Sequence, residues 1–461
     1  MSGSLKDDSF RRYAITAHPL KLLITVCGPL AIYQAFQQIF TILDTMMAAH
    51  VSADAVSSIA VLAQIALMIK ALGSGLAAGG SIQISVAYGQ RDYELVRRRT
   101  STLYAIAVGL SLLIAVAVIP FAEPFLRLLK TPESLIEVGA GYFRVSMAEL
   151  IVSFFNTVFI AVERSRGHSR EIMIINLVVI GVKLGLSALF IYVMDSGVIM
   201  IAVATLVSQL VLLVYAVYSM RKDDGAFRFS VSQISGKSDV VAPILRLSYP
   251  VAAEKMLFAA GKVAVNSMAG VYGPLTAGAL GVSNNIGGLT TNWHAGMLDG
   301  ASAMISQNRG AGEYRRTREL FWWLMLVDVL IGLVGFVAVS LWLDELAVVF
   351  ARSKSGFDST FCQMIVDIHR WEMLGYITLG IHSAVNSLML GYEMGKSALA
   401  LNMARIFVFR IPVLWVLMRW TNMGSEAVGV MMMISNVATG VISLIAMVPV
   451  LKKIRGLEKE T

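Results

Sequence analysis

The sequence predicts an all-α integral membrane protein: twelve transmembrane helices in two pseudo-symmetric six-helix lobes, related by an axis along the membrane normal. Three observations predict it. Of the 461 residues, 57% are hydrophobic and only 15% charged, and the mean hydropathy of +0.71 is far from that of an ordinary soluble domain. Apolar stretches long enough to cross a bilayer, about 20 residues each, recur along the whole chain. The chain also repeats itself at one constant offset. Displaced by 221 residues, Pro29 meets Pro250, Gly75 meets Gly296, Gly79 meets Gly300, and ISVAYGQRDY (84–93) meets ISQNRGAGEY (305–314).

The spans follow in order. Span one (20–49) comes after a charged stretch, as a signal sequence would. It runs on for about 30 residues without a small-residue cleavage site, so it is an uncleaved span. Span two (55–85) ends in the first copy of the pattern I-S-x-x-x-G-x-x-[DE]-Y, and span three (100–121) follows the basic run Arg97, Arg98, Arg99. Spans four (138–162), five (172–194) and six (197–220) complete the N-terminal lobe, residues 1–220. The long polar stretch RKDDGAFRFSVSQISGKSD (221–239) marks the linker, 221–243. Spans seven (244–271) and eight (276–306) repeat one and two. Spans nine (320–343), ten (364–390), eleven (397–420) and twelve (427–451) complete the C-terminal lobe, 244–461. The repeats run parallel, so a substrate path between the lobes near the midplane, opened to each side in turn, is expected.

Lys and Arg orient the bundle, because they accumulate in cytoplasmic connections. With the N-terminus inside, the inner segments hold most of the 38 Lys and Arg, among them Arg164, Arg166, Arg170, Arg315, Arg316, Arg318, Lys452 and Lys453. The outer loops hold Arg127, Lys130, Arg352, Lys354 and Arg419. Both termini are therefore expected in the cytoplasm, in a plasma (inner) membrane. The formal net charge of +8 is largely this topological signal, so the lipid bilayer and not nucleic acid is the expected partner. In this topology Cys27 and Cys362 fall on opposite sides of the membrane, which argues against a disulfide or a metal site.

Span one is apolar except for one face, where Gln34, Gln37, Gln38, Thr41, Asp44 and Thr45 fall within roughly 120° of one another. Such a stripe can hold helices together by hydrogen bonds or line a wet pathway. The carboxylate favours the pathway, because it can be protonated or bind a cation. Other charges at membrane depth are Lys70, Arg144, Lys183, Lys255, Lys262, Arg370, Arg405 and Arg410, with Glu149, Glu254, Asp299, Asp328, Asp367 and Glu372 as partners. Each would cost about 3 kcal/mol facing lipid at the bilayer centre, so they cannot all do so. Arg144 and Arg370 lie where long side chains reach the headgroups, and Arg405 and Arg410 read as ties between spans. Glu254 and Lys255 follow Pro250 by a turn. His294, Asp299 and His382 lie deeper in the second lobe, where a histidine is a packed hydrogen-bonder or a proton sensor.

No Walker A loop, H-E-x-x-H or G-x-S-x-G is present, and GSGLAAG (73–79) follows no strand, so it reads as close helix packing and not as a dinucleotide loop. The chain is therefore read as no enzyme and as having no cofactor, with transport drawing on an ion gradient of H+ or Na+.

The residues resemble the multidrug and toxic compound extrusion (MATE) transporters. The likeness is carried by the two parallel halves, by LDTMMAAH (43–50), by the I-S-x-x-x-G motifs after spans two and eight, by RGHSREIMIINL (166–177), by IAVATLVSQL (201–210) and by FRIPVLWVL (409–417). It implies a monomeric antiporter in which proton or sodium entry drives efflux of amphipathic small molecules, often organic cations, from a cleft between the lobes. In members that use the first lobe, the span-one Asp works with Asn-x-x-x-Asp in span five and a Thr in span six. Asp44 and Thr205 match, whereas the span-five positions read Lys183 and Ser187. Phe258 stands where the second-lobe carboxylate is expected, about two turns after the span-seven proline. Lys183 reaching Asp44 would oppose a second cation and so disfavour sodium, while protonation of Asp44 would release the pair. Gln34, Gln37, Gln38, Thr41, Glu254, Lys255, Lys262, His294, Asp299 and His382 are the substrate-cavity candidates. Lys255 and Lys262 share a helix face and, with Lys183, leave open an alternative: an exporter or flippase of the same fold for an anionic natural product or lipid-linked substrate.

Overall fold

The computed structural model describes the backbone of residues 2–51, 53–128, 133–197, 199–223, 225–353 and 356–460. The side chains of 2–7, 44–46, 48–51, 53–61, 63–64, 128, 133–135, 137–138, 274, 352–353 and 356 are outside that description. The helices in chain order are α1 (Ser2–Thr16), α2 (Pro19–Val51), α3 (Ala53–Gly89), α4 (Tyr93–Val118), α5 (Ala122–Leu128), α6 (Glu133–Ser165), α7 (Ser169–Ala188), α8 (Ile199–Lys222), α9 (Ser238–Ala269), α10 (Pro274–Gly310), α11 (Tyr314–Ala351), α12 (Ser359–Glu372), α13 (Tyr376–Gly391), α14 (Gly395–Phe407), α15 (Ile411–Trp420) and α16 (Glu426–Glu460). The twelve expected spans map onto α2, α3, α4, α6, α7, α8, α9, α10, α11, α12 with α13, α14 with α15, and α16. A two-residue antiparallel pair, Arg352–Ser353 with Gly356–Phe357, is the departure from all-α structure among the described residues.

Among the described residues, ten segments are long and apolar enough to cross a membrane. The expected spans on α9 and α10 fall short of that measure. Their composition explains it: α9 carries Glu254, Lys255 and Lys262, and α10 carries Asn284, Asn285, Asn292, His294 and Asp299. Polar groups at that depth need protein partners rather than lipid, and several of them have such partners.

Local chemistry sets the helix ends. Asp92 caps α4 by accepting from the Leu95 amide at 3.0 Å, and Asp358 caps α12 by accepting from Phe361 at 3.0 Å. The repeated motif makes the same turn twice, with a left-handed residue two positions after its glycine: Arg91 (φ 64°) after Gly89, and Gly312 (φ 79°) after Gly310.

The chain forms two compact units, Met1–Ala17 with Ile39–Met256, and His18–Gln38 with Leu257–Thr461. The division drawn from the linker placed spans one and seven whole in their own lobes. In the structure α2 and α9 each begin in one unit and end in the other. Inside the first unit, α3 packs on α6, and α6 on α8, around Tyr88, Leu103, Phe143, Phe154 and Phe159, all essentially inaccessible. Inside the second, α10, α11 and α13 pack together and α13 rests on α16, around Ile368, Tyr376, Leu414 and Met431.

Glycines explain how the exchanged segments seat. In the first unit, a Cβ on Gly75 would lie 2.5 Å from Ala252, and one on Gly79 would lie 2.4 Å from Ser248. In the second, a Cβ on Gly296 would lie 2.3 Å from Ala31, and one on Gly300 would lie 2.7 Å from Cys27. Only a residue without a Cβ allows backbones so close.

Candidate functional site

In the first unit, Met47 is buried against Ile191 and Ile201, with Leu184 and Ala188 packed beside them. The α2 turn that carries Asp44, three residues before Met47, thus lies beside the end of α7 and the start of α8. The side chains of Asp44 and Thr45 are outside the described residues, and with them the expected Asp44–Lys183 pair. Lys183 is half-buried. Thr205 donates its hydroxyl to the Ile201 carbonyl at 3.1 Å. Ser187 is fully buried, and its Oγ has no hydrogen-bond partner among the described residues. Farther along the same unit, Lys70 pairs with the buried Glu149 at 2.5 Å, and Asn156 donates to Gln209 Oε1 at 2.8 Å.

The polar stripe of span one divides at the unit boundary. Gln38 belongs to the second unit, where it donates to the Asn285 carbonyl at 3.2 Å and accepts from Asn292 at 2.9 Å. Its role there is to tie helices. Gln34 is half-buried, and Gln37 and Thr41 are exposed.

The second unit is rich in buried polar pairs. His294 Nδ1 lies 3.0 Å from Asp328, which is completely buried. His382 is held between Ser443 at 3.1 Å and Asn402 at 3.0 Å, and Asp299 is half-buried within electrostatic range of Tyr33. Ser283 donates to Glu372 at 2.5 Å and lies 2.8 Å from His369, whose other ring nitrogen is 2.7 Å from the Tyr376 hydroxyl. His369 and Tyr376 were not among the sequence candidates. Their only sequence signal is the His369–Glu372 spacing of three, which puts both on one face of α12.

Phe258 is the centre of the cation cluster. Its ring centroid lies 5.4 Å from the Arg405 guanidinium, 5.7 Å from that of Arg410 and 5.7 Å from Lys262 Nζ, each within the range of a cation–π contact. Arg405 donates to Asn436 Oδ1 at 2.9 Å, and Arg410 reaches Ser435 at 3.3 Å and Asn436 at 3.4 Å. The expected tie between spans is thus present. Glu372 is the carboxylate within electrostatic range of all three cations. Lys262 is exposed and has no hydrogen-bond or ion-pair partner among the described residues. Lys255 does not join this cluster: it is exposed in the first unit beside half-buried Glu254.

The charges nearer helix ends are paired. Arg144 meets Glu123 at 2.9 Å, Arg370 meets Asp367 at 3.1 Å, and Arg166 meets Glu163 at 3.1 Å and Asp223 at 2.9 Å. A separate apolar cavity of about 630 Å³ lies between α10 and α11, lined by Trp293, Leu330, Val334 and Trp342.

The MatE family model matches residues 29–189 and 250–416, one block in each half of the chain. The chain belongs to the MatE family. As a MATE transporter it is similar, at 23% identity over 89% of its length and 90% of the relative's, to "Probable multidrug resistance protein YpnP" of Bacillus subtilis. It is similar at 22% identity over 88% of its length to "Probable multidrug resistance protein NorM" of Thermotoga maritima, of which 87% is covered. Among solved structures, a MATE protein in complex with MaL6 superimposes with a TM-score of 0.91 at 19% identity, covering 97% of this chain and 99% of the other. A Pyrococcus furiosus transporter, described under the words "reverse polarity of binding pocket suggests different function", gives 0.90 at 19% identity, covering 97% and 98%. These superpositions confirm the fold that the repeats and spans predict, and with the family match they make the chain a MATE transporter of small molecules in a membrane.

Proposed function

We propose that this MATE protein is a secondary active efflux transporter of the plasma membrane, with both termini cytoplasmic. It works by alternating access, exchanging an entering proton for amphipathic organic compounds. The supporting observation is the gathering of the Asp44 turn with the α7 and α8 segments that carry Lys183, Ser187 and Thr205, through Met47, Ile191 and Ile201. In this reading the Lys183 ammonium pairs with the Asp44 carboxylate and so opposes a bound sodium ion. A proton on Asp44 removes the attraction between them, and so biases whichever conformation separates α2 from α7.

Proteoliposomes preloaded with ethidium, or with 2-naphthalenesulfonate, test this under an imposed pH gradient or sodium gradient. Dye movement under the pH gradient, abolished in Asp44→Asn, is the expected result. Equal movement under the sodium gradient, or unchanged transport in Asp44→Asn, would overturn the proton-coupled reading.

The resemblance by itself implies cationic cargo. The charge around Phe258 favours the alternative, an anionic cargo.

A further inference from the structure

The second unit places three cations around one aromatic ring, at the position where the family resemblance leads one to expect a carboxylate. Arg405 lies in the last turn of α14 and Arg410 in the break just before α15, and Lys262 lies one turn beyond Phe258 on α9. They are graded in exposure: Arg410 is buried, Arg405 and Phe258 are half-buried, and Lys262 is exposed. The nearby carboxylate, Glu372, already accepts from Ser283 and lies 3.6 Å from His369. It makes no ion pair with any of the three cations among the described residues. Neutral acceptors, Asn436 and Ser435, take part of the arginine donors, while Arg405 Nε is buried without a partner.

A set of cations whose hydrogen-bonding capacity is unfilled, at membrane depth, has excess positive charge that an incoming acidic group would offset. The guanidinium forks suit a planar or tetrahedral oxyanion, and the half-buried Phe258 ring offers an apolar face to a flat organic body.

We propose that Lys262, Arg405 and Arg410 bind the acidic head of an amphipathic organic anion, a carboxylate, sulfonate or phosphate, whose aromatic body packs against Phe258. That this anion is cargo rests on the reading of the chain as an efflux transporter. That it binds does not.

The test is equilibrium binding of radiolabelled 2-naphthalenesulfonate to the full chain in phosphatidylcholine nanodiscs. Competitors are 2-naphthyltrimethylammonium, inorganic sulfate and, as a nanodisc component, phosphatidylglycerol. Lys262→Gln is the decisive variant, because among the described residues its side chain makes no hydrogen bond or ion pair whose loss would disturb the fold. Arg405→Gln and Phe258→Ala accompany it, and Arg315→Gln, an exposed change remote from the cluster, controls for net charge.

We expect Lys262→Gln and Arg405→Gln to weaken binding about tenfold or more, which corresponds to about 1.4 kcal/mol, with Arg315→Gln unchanged. Wild-type affinity in Lys262→Gln, or preference for the ammonium with the same aromatic body, would overturn the proposal. So would displacement by phosphatidylglycerol or sulfate with an affinity equal to that of the arylsulfonate, since the site would then hold a lipid headgroup or a simple ion. Cluster-dependent binding without gradient-driven movement in the proteoliposomes would leave this site standing and reject the efflux reading. Gradient-driven ethidium movement with no cluster-dependent anion binding would do the reverse.

Discussion

Ala31 stands so close to Gly296 that a Cβ on that glycine would lie 2.3 Å from the Ala31 Cα. Ala252 stands on Gly75 in the same way, at 2.5 Å. The two contacts are one contact made twice, because Ala252 is the repeat counterpart of Ala31 and Gly296 that of Gly75. Cys27 on Gly300 and Ser248 on Gly79 complete the pair one turn away. The duplicated halves therefore keep their glycines for the same crossing in both units.

This crossing predicts a pattern of stabilities. Gly296→Ala and Gly75→Ala each push a methyl group into backbone, and overpacking of that kind costs about 1–3 kcal/mol. Both are expected to lower the unfolding temperature of the detergent-purified protein. Gly28→Ala on the same helix as Ala31 meets nothing within 4 Å. It is expected to be neutral or to stabilise by up to about 1 kcal/mol through helix propensity. A fall in Gly28→Ala as large as in Gly296→Ala would show that the close approach is not the cause.

Arg91 occupies the left-handed position that Gly312 occupies in the second copy of the motif. That conformation costs an L side chain roughly 1–2 kcal/mol. Arg91 offsets little of it, since its ion pair with Asp8 is 3.8 Å long and partly exposed. Arg91→Gly should raise the unfolding temperature, and differential scanning fluorimetry would register the rise.

Glu149 is buried and Lys70 supplies its counter-charge at 2.5 Å. Removing the lysine alone leaves an uncompensated buried carboxylate, a loss of about 3–5 kcal/mol. Lys70→Met is therefore expected to be severely destabilised, and Lys70→Met combined with Glu149→Met to recover most of the loss. A double mutant as poor as the single one would mean that packing around Lys70, not its charge, matters.

His168, in the turn between α6 and α7, lies 2.7 Å from Glu163. The hydrogen bond and charge of Glu163 raise its pKa above the ordinary 6.5, against a smaller opposing effect of burial. A raised folded-state pKa means stability that is fully present below about 6.5 and lost as pH rises through the higher folded value. Unfolding temperature should thus fall over that window in the wild type, and His168→Gln should flatten the fall. An identical pH profile in the variant would remove His168 from the account.

The helices were legible because hydrophobic runs and charged ends are local properties of the chain, and α9 and α10 form where expected although they carry too many polar groups to pass as ordinary lipid-facing helices. The candidate sites were legible only in part. Gln38 of the span-one stripe serves a helix tie to Asn285 and Asn292, a role set by residues about 250 positions away. Lys255 and Lys262 share a helix face, yet they fall in different units, because α9 crosses from one to the other between Met256 and Leu257. His369 and Ser283 gave little sequence signal because Ser283 meets His369 and Glu372 only through contacts across 86 and 89 positions of the chain.

The sequence by itself determined the membrane class, the two repeats and the glycines of their crossings, since composition, periodicity and a constant offset are written along the chain. Only the tertiary structure decided which charge meets which. Arg405 and Arg410 lie about 150 residues from Phe258 in sequence, yet both converge on its ring. No local pattern encodes that convergence, because electrostatic and aromatic contacts depend on distance in space and not along the chain.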